Sequence, residues 1–227
     1  MKSFVRERGA DLGTVVLVMI AISLNQAGIS LTMTLGGFGN FLPKSVSWLV
    51  TALLATRFVL VALMIMLWAS KRKSLLSRTI ILANVLFTAA LLGHTEALIA
   101  TLFGFASQAI GALLVNVVLM LVSNILVFSI WYWVIDPPGV ENISYADRRW
   151  DFLFPQRAGS VPHYESWVPR YLDYLYIAFT TSFAFSPTDT LPLTRRAKML
   201  MLLQSIIAVV TLTGIAGGAI NILAGSK

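Results

Sequence analysis

The chain has no cysteine. Disulfides, thiolate metal sites and cysteine nucleophiles are therefore excluded. Histidine is nearly missing too, with only His94 and His163. Neither stands in a readable arrangement with a serine nucleophile and an acid. His94-Thr95-Glu96 offers too few ligands for a metal ion. No glycine-rich phosphate loop occurs. The chain is not expected to be an enzyme, and no cofactor or metal is expected.

Charge is also scarce. Of 227 residues only 12% are Asp, Glu, Lys or Arg, against about 25% in a soluble domain. Apolar residues take their place, at 57%, and the mean hydropathy is +0.80. Several long apolar runs put the chain among integral membrane proteins, with the lipid bilayer as its first partner. The net charge of +7 gathers at the ends of those runs. Cations there set orientation and meet lipid headgroups. No basic stripe interleaved with aromatics occurs, so nucleic acid is not an expected partner.

A helix needs about 20 residues to cross the hydrocarbon. Five segments qualify: 12–35, 46–69, 78–103, 109–135 and 197–223. The start could pass for a signal peptide, because Lys2, Arg6 and Arg8 precede an apolar run. Glu7 and Asp11 dilute that basic region and no small-x-small cleavage site follows, so 12–35 reads as a retained first span. "GHTE" (93–96) interrupts the third segment, and a turn is expected near "GFASQ" (104–108). Four spans thus fill 1–135. Residues 136–169 form the only long polar segment, opened by a helix-stopping Asp-Pro-Pro-Gly. Its many aromatics and prolines argue for an ordered, amphipathic flap on the membrane surface. Lys2, Arg6, Arg8, Lys71, Arg72, Lys73 and Arg78 lie on one side, and Lys44 stands alone on the other. This bias predicts a cytoplasmic N-terminus and a cytoplasmic flap.

Polar groups inside the spans are few. Arg57 sits in mid-span, where a cation costs at least about 2.5–3.5 kcal/mol on insertion scales. Glu96 is the only acid in a predicted span, and it and Arg57 are the intramembrane charges. Arg57 either lines an ion pathway or satisfies backbone carbonyls; Glu96 and Asp189 are its candidate partners. Asn25, Gln26, Asn84, Asn116, Asn124 and Asn221 read as interhelical hydrogen-bond groups.

Residues 170–227 follow a different pattern. Tyr171, Tyr174, Leu175, Ala178 and Phe179 recur at helical spacing in a stretch too short to cross. That helix should end at Phe185, because Pro187 disfavours helix at Ser186. Ser186-Pro187-Thr188-Asp189 fits a helix cap, so the turn is either capped at the interface or re-entrant. A re-entrant turn at depth must line a cavity or be buried by protein. In the last span Gly214-Ile215-Ala216-Gly217-Gly218 contains a GxxxG pattern. Gly214, Gly217 and Gly218 serve either close packing or a hinge.

The order of short helix, loop, proline, basic residue and glycine-containing final span resembles the pore module of tetrameric cation channels. Thr180 and Thr181 fall where such channels keep threonines at the pore-helix end. "SFAFSPTD" (182–189) falls where a potassium filter would show "TVGYGD". The resemblance implies pore-lining roles for Thr180, Thr181, Ser182, Phe185, Ser186, Thr188 and Asp189, with Asp189 a mouth charge for cations. The filter glycines are replaced, so selectivity of the potassium-filter kind is not implied. The charge bias brings this loop in from the cytoplasm, inverted relative to potassium channels. Over the whole chain, "WYWVIDPPG", "DFLFPQ", "DYLYIAFTTSFAFSPTDTLPL" and "RAKMLMLLQS" resemble a group of bacterial multi-span inner-membrane proteins. They imply that location and no particular activity.

The expected fold is therefore all-α and membrane-embedded, with five transmembrane helices and a short re-entrant, pore-like helix and loop before the last. The leading functional expectation is a channel-like homo-oligomer, a tetramer first, passing small ions. Two alternatives stand beside it. One is a non-conducting module that binds a partner through Trp150, Phe152, Phe154 and Trp167 of the flap. The other is a small transporter using Arg57 and Glu96.

Overall fold

The computed structural model describes residues 10–35, 44–103, 110–136, 150–157, 162–164, 167–186 and 189–225. The turn expected at 104–108 lies outside them, as do Pro187 and Thr188. Among the described residues the protein is all-helical apart from one two-residue strand pair. Its helices are α1 (Leu12–Leu35), α2 (Lys44–Ala69), α3 (Lys73–Phe103), α4 (Ile110–Ile135), α5 (Tyr171–Ala184) and α6 (Arg195–Gly225). Strands β1 (Phe152–Leu153) and β2 (Leu191–Pro192) pair antiparallel, Phe152 opposite Pro192 and Leu153 opposite Leu191.

Among the described residues four stretches are long and apolar enough to cross a bilayer: Leu12–Met33, Lys73–Ile99, Leu114–Ile135 and Arg195–Gly214. They make the chain a multi-pass membrane protein. In α2 the described apolar stretch, Ala55–Ala69, is shorter. "GHTE" does not break α3. Gly93 is helical and open space surrounds it, so only the intrinsic glycine penalty of about 1 kcal/mol applies.

The spans are apolar on every side, as suits helices between protein and lipid. On α1, Leu12, Val15, Met19, Ile22 and Ile29 are buried, while Leu17, Leu24 and Leu31 are exposed. The buried set follows a three-four spacing, which suits shallow helix crossing. Helix α4 is central and packs on α1, α3, α5 and α6. Val127, Phe128, Ile130, Tyr132 and Trp133 of α4 are fully buried.

Helices α2 and α3 are joined by a tight turn. Lys71 adopts a left-handed backbone with φ 54°. Its N–H bonds to Trp68 O at 3.1 Å, and that of Arg72 to Leu67 O at 3.0 Å. This is a Schellman termination, with lysine where glycine is usual.

Candidate functional site

Helix α5 has 14 residues, or about 21 Å at 1.5 Å per residue. Crossing the hydrocarbon takes about 30 Å. Its start is held by the Asp173 carboxylate, which accepts from the Arg170 N–H at 2.6 Å. Tyr171, Tyr174, Ile177, Ala178, Thr181 and Ser182 turn inward. Leu172, Tyr176, Phe179 and Phe183 face outward. The helix ends at Phe185, in the left-handed region at φ 53°, where a non-glycine residue is strained.

A buried polar cluster ties α5 to α4 and α6. The Gln204 amide of α6 donates to Ala178 O at 2.7 Å and to Ser182 Oγ at 2.8 Å. Its carbonyl accepts from the Tyr132 hydroxyl of α4. Asn124 of α4 donates to Gln204 O at 3.2 Å and to Ser182 Oγ at 3.5 Å. The Tyr171 hydroxyl lies 2.7 Å from Ser129 Oγ. Burial holds the Tyr171 phenol neutral, its pKa pushed up to about 12.

The residues expected to line a pore divide between two environments. Thr180, Thr181 and Ser182 are buried against the chain's own helices, while Phe185, Ser186 and Asp189 are exposed. Thr180 Oγ1 donates back to Tyr176 O at 3.0 Å, the usual local bond of a helical threonine. Thr188 lies outside the described residues. Gly214 packs closely: a Cβ there would meet Leu98 Cδ2 and Val117 Cγ2, each at 3.2 Å. Gly217 is half-buried, and nothing is described of the surroundings of Gly218.

A second cluster clamps the flap onto the end of α4. Asp136 is fully buried. Its Oδ1 accepts from the N–H groups of Asp151 and Phe152 at 2.9 and 3.1 Å. Its Oδ2 accepts from Tyr174 Oη at 2.6 Å and Arg157 Nη1 at 3.0 Å. The Arg157 guanidinium lies over the Trp150 ring, 4.9 Å from its centroid. Asp151 accepts from Arg196 Nε at 2.7 Å and from the Thr194 hydroxyl. Arg196 also reaches Ile135 O at 3.1 Å. Phe152 stacks edge-on against Tyr132 with centroids 5.1 Å apart, and Phe154 against Tyr174 at 5.6 Å. These two flap aromatics therefore point into the bundle, while Trp150 and Trp167 are half-buried.

Arg57 is 7% exposed, and its Nη1 has no hydrogen-bond partner. Glu96 is exposed. Among the described residues the ion pairs are Arg157–Asp136 and Arg196–Asp151, so the fold does not bring Arg57 and Glu96 together. The His94 Nε2 of α3 lies 3.4 Å from Ser30 Oγ of α1. Asn25 donates to Leu119 O and Ser123 Oγ, Gln26 to Phe87 O, and Asn84 to Val127 O. Thr32 bonds Asn116. These are the interhelical bonds expected of amides in spans.

The sequence reading did not single out Gln204, Tyr132, Asp136, Asp151, Arg157 or Arg196 as site residues. Gln204, a lone amide in "MLLQSII", carried a usable signal, since an amide in a span needs a partner. Among the described residues no three His, Asp or Glu side chains come together as a metal site. Comparison with protein-family models, with curated proteins and with solved structures finds no match.

Proposed function

We propose that the chain crosses the bilayer five times, on α1 to α4 and α6, and that α5 enters and leaves on one side. In this reading α4, α5 and α6 are the outer helix, pore helix and inner helix of a channel-like homo-oligomer. One observation carries it. A helix too short to cross is held in the bundle by the buried Ser182, Gln204 and Asn124 contacts, and its far end is exposed. Phe183, Phe185, Ser186 and Asp189 at that end have room for neighbouring subunits. Thr181 and Ser182 then anchor the pore helix, and the lining falls to Phe185, Ser186 and Asp189. A loop without glycines does not turn successive carbonyls to one ion, so the pore discriminates by size and by the Asp189 charge. The charge bias places the N-terminus and the clamped flap on the cytoplasmic side, in keeping with the resemblance to bacterial inner-membrane proteins.

Reconstitution in liposomes tests this. The protein should release monovalent cations, Asp189→Ala should lower the flux several-fold, and Ser186→Trp should block it. Absence of flux from an oligomer that is folded by its melting curve would overturn the reading.

A further inference from the structure

The end of α4, the flap and the start of α6 meet at one residue, Asp151. Its N–H donates at 2.9 Å to the carboxylate of Asp136, the residue that follows α4. Its carbonyl accepts from the Leu193 N–H, just past β2, at 2.8 Å. Its carboxylate accepts from the Thr194 hydroxyl and, as a fork, from Nε and Nη2 of Arg196. Thr194 in turn caps α6, its Oγ1 accepting from the Ala197 N–H at 3.3 Å. Asp151 thus ties the position of α4 to the first turn of α6 through direct bonds.

The two halves of this joint differ in burial. On the α4 side Arg157 pairs with Asp136, their side chains 4% and 0% exposed, and Tyr174 of α5 donates to the same carboxylate at 2.6 Å. On the α6 side Asp151 is buried, but its partner Arg196 is 60% exposed. A half-exposed pair is screened by salt, whereas a buried pair is screened much less. The strand pair behind it has two residues on each side, and so short a ladder is marginal by itself. Leu191 and Leu193 are exposed, so little core holds β2 in place. Further along, α6 is fixed by the Gln204 bonds and by the close approach of Gly214 to Leu98 and Val117. Its weakest hold is the first turn, nine residues before Gln204 (204 − 195), or about 14 Å.

We infer that Asp151 is a latch for the start of α6, which releases on that side while Asp136, Arg157 and Tyr174 keep the flap on α4. Latched, the first turn of α6 is fixed to the end of α4. Released, Arg196 and the Asp151 carboxylate both meet water, and α6 tilts about its Gln204 anchor. No covalent bond changes. Rising ionic strength favours release, because it screens the exposed pair and spares the buried one. That the latch controls ion flow rests on the pore reading, with α6 as inner helix; that it holds α6 does not.

Amide hydrogen exchange on the purified full chain in detergent tests it without any variant. The Leu193 N–H should be protected about tenfold less than those of Asp151 and Phe152, the mark of a separate, lower-energy opening. High salt should lower the Leu193 protection further and leave the other two unchanged. Equal protection of all three, with one salt response, would show a single rigid joint and overturn the inference. Spin labels on Lys73→Cys and Lys198→Cys, both exposed positions, give a second readout, the distance from the start of α3 to the start of α6. The chain has no other cysteine to label. Arg196→Met should add a second distance to the parent's single one. Arg196→Lys, which keeps the charge but not the fork, should populate it less. An unchanged single distance in folded Arg196→Met would also overturn the latch. Cation release from liposomes then separates the two readings, since Arg196→Met should change it several-fold. A parent that passes no ions overturns the pore while the exchange and distance results decide the latch. A new distance with parental flux overturns the latch's role in conduction.

Discussion

Gln204 of α6 donates a 2.8 Å hydrogen bond to Ser182 of α5 inside the bundle. The same side chain meets Ala178 O and the Tyr132 hydroxyl, so one glutamine joins three helices. Gln204→Leu should destabilise the protein by about 1–3 kcal/mol, because several polar groups lose their partner at once. Hydrogen exchange should rise in 171–184 and stay unchanged in 12–35. Unchanged exchange in α5 would mean that apolar packing alone seats it.

Asp136 and Arg157 form a buried pair with four donors on one carboxylate. Removing one partner strands the other charge. Asp136→Ala should therefore cost about 3–5 kcal/mol, and Arg157→Met a comparable amount. The double variant Asp136→Ala with Arg157→Met should be more stable than the sum of the single losses. Thermal unfolding of the four proteins, read as a double-mutant cycle, gives the coupling.

Lys71 holds a left-handed backbone conformation at the end of α2. Lys71→Gly removes the strain between Cβ and the carbonyl while keeping the turn. It should stabilise the protein by about 0.5–1 kcal/mol. A lowered melting temperature would show that the lysine side chain contributes more than its backbone strain removes.

Gly214 has two side chains waiting at 3.2 Å from where its Cβ would stand. Gly214→Ala asks Leu98 and Val117 to yield by a few tenths of an ångström and should be near neutral. Gly214→Val adds two more carbons against the same wall and should cost about 1–3 kcal/mol. If Gly214→Val melts like the parent, α6 is free to move away from α3 and α4 there.

Tyr171 shows a dependence on alkaline pH. Its phenol, ordinarily near 10, is held at about 12 by burial. Between those values the unfolded chain loses the proton and the folded chain keeps it, so stability falls as pH rises. Tyr171→Phe should remove part of that fall and, by losing the Ser129 contact, lower stability slightly at neutral pH.

Much of the helix layout was legible locally. The segment 12–35 coincides with α1, and 109–135 lies within one residue of α4. The end of α5 at Phe185 followed from Pro187 acting on Ser186. The start of α3 did not follow. The apolar segment begins at Arg78, whereas the helix begins at Lys73, because lysine and arginine are good helix formers wherever their heads reach water. The site was less legible. Asp136, Arg157, Tyr174 and Arg196 are far apart along the chain, so no local pattern brings them together.

The amino-acid sequence by itself determined the class and the elements. Apolar length sets which segments can cross a bilayer, and proline and charge set where they stop, because both effects act within a few residues. Only the tertiary structure decided which faces meet. These helices are apolar on every side, so no periodicity marks an inner face. The pairing of Ser182 with Gln204, the seating of Asp136 beneath the flap and the separation of Arg57 from Glu96 depend on how whole helices rotate against one another, and packing selects that rotation only when all of them are in place.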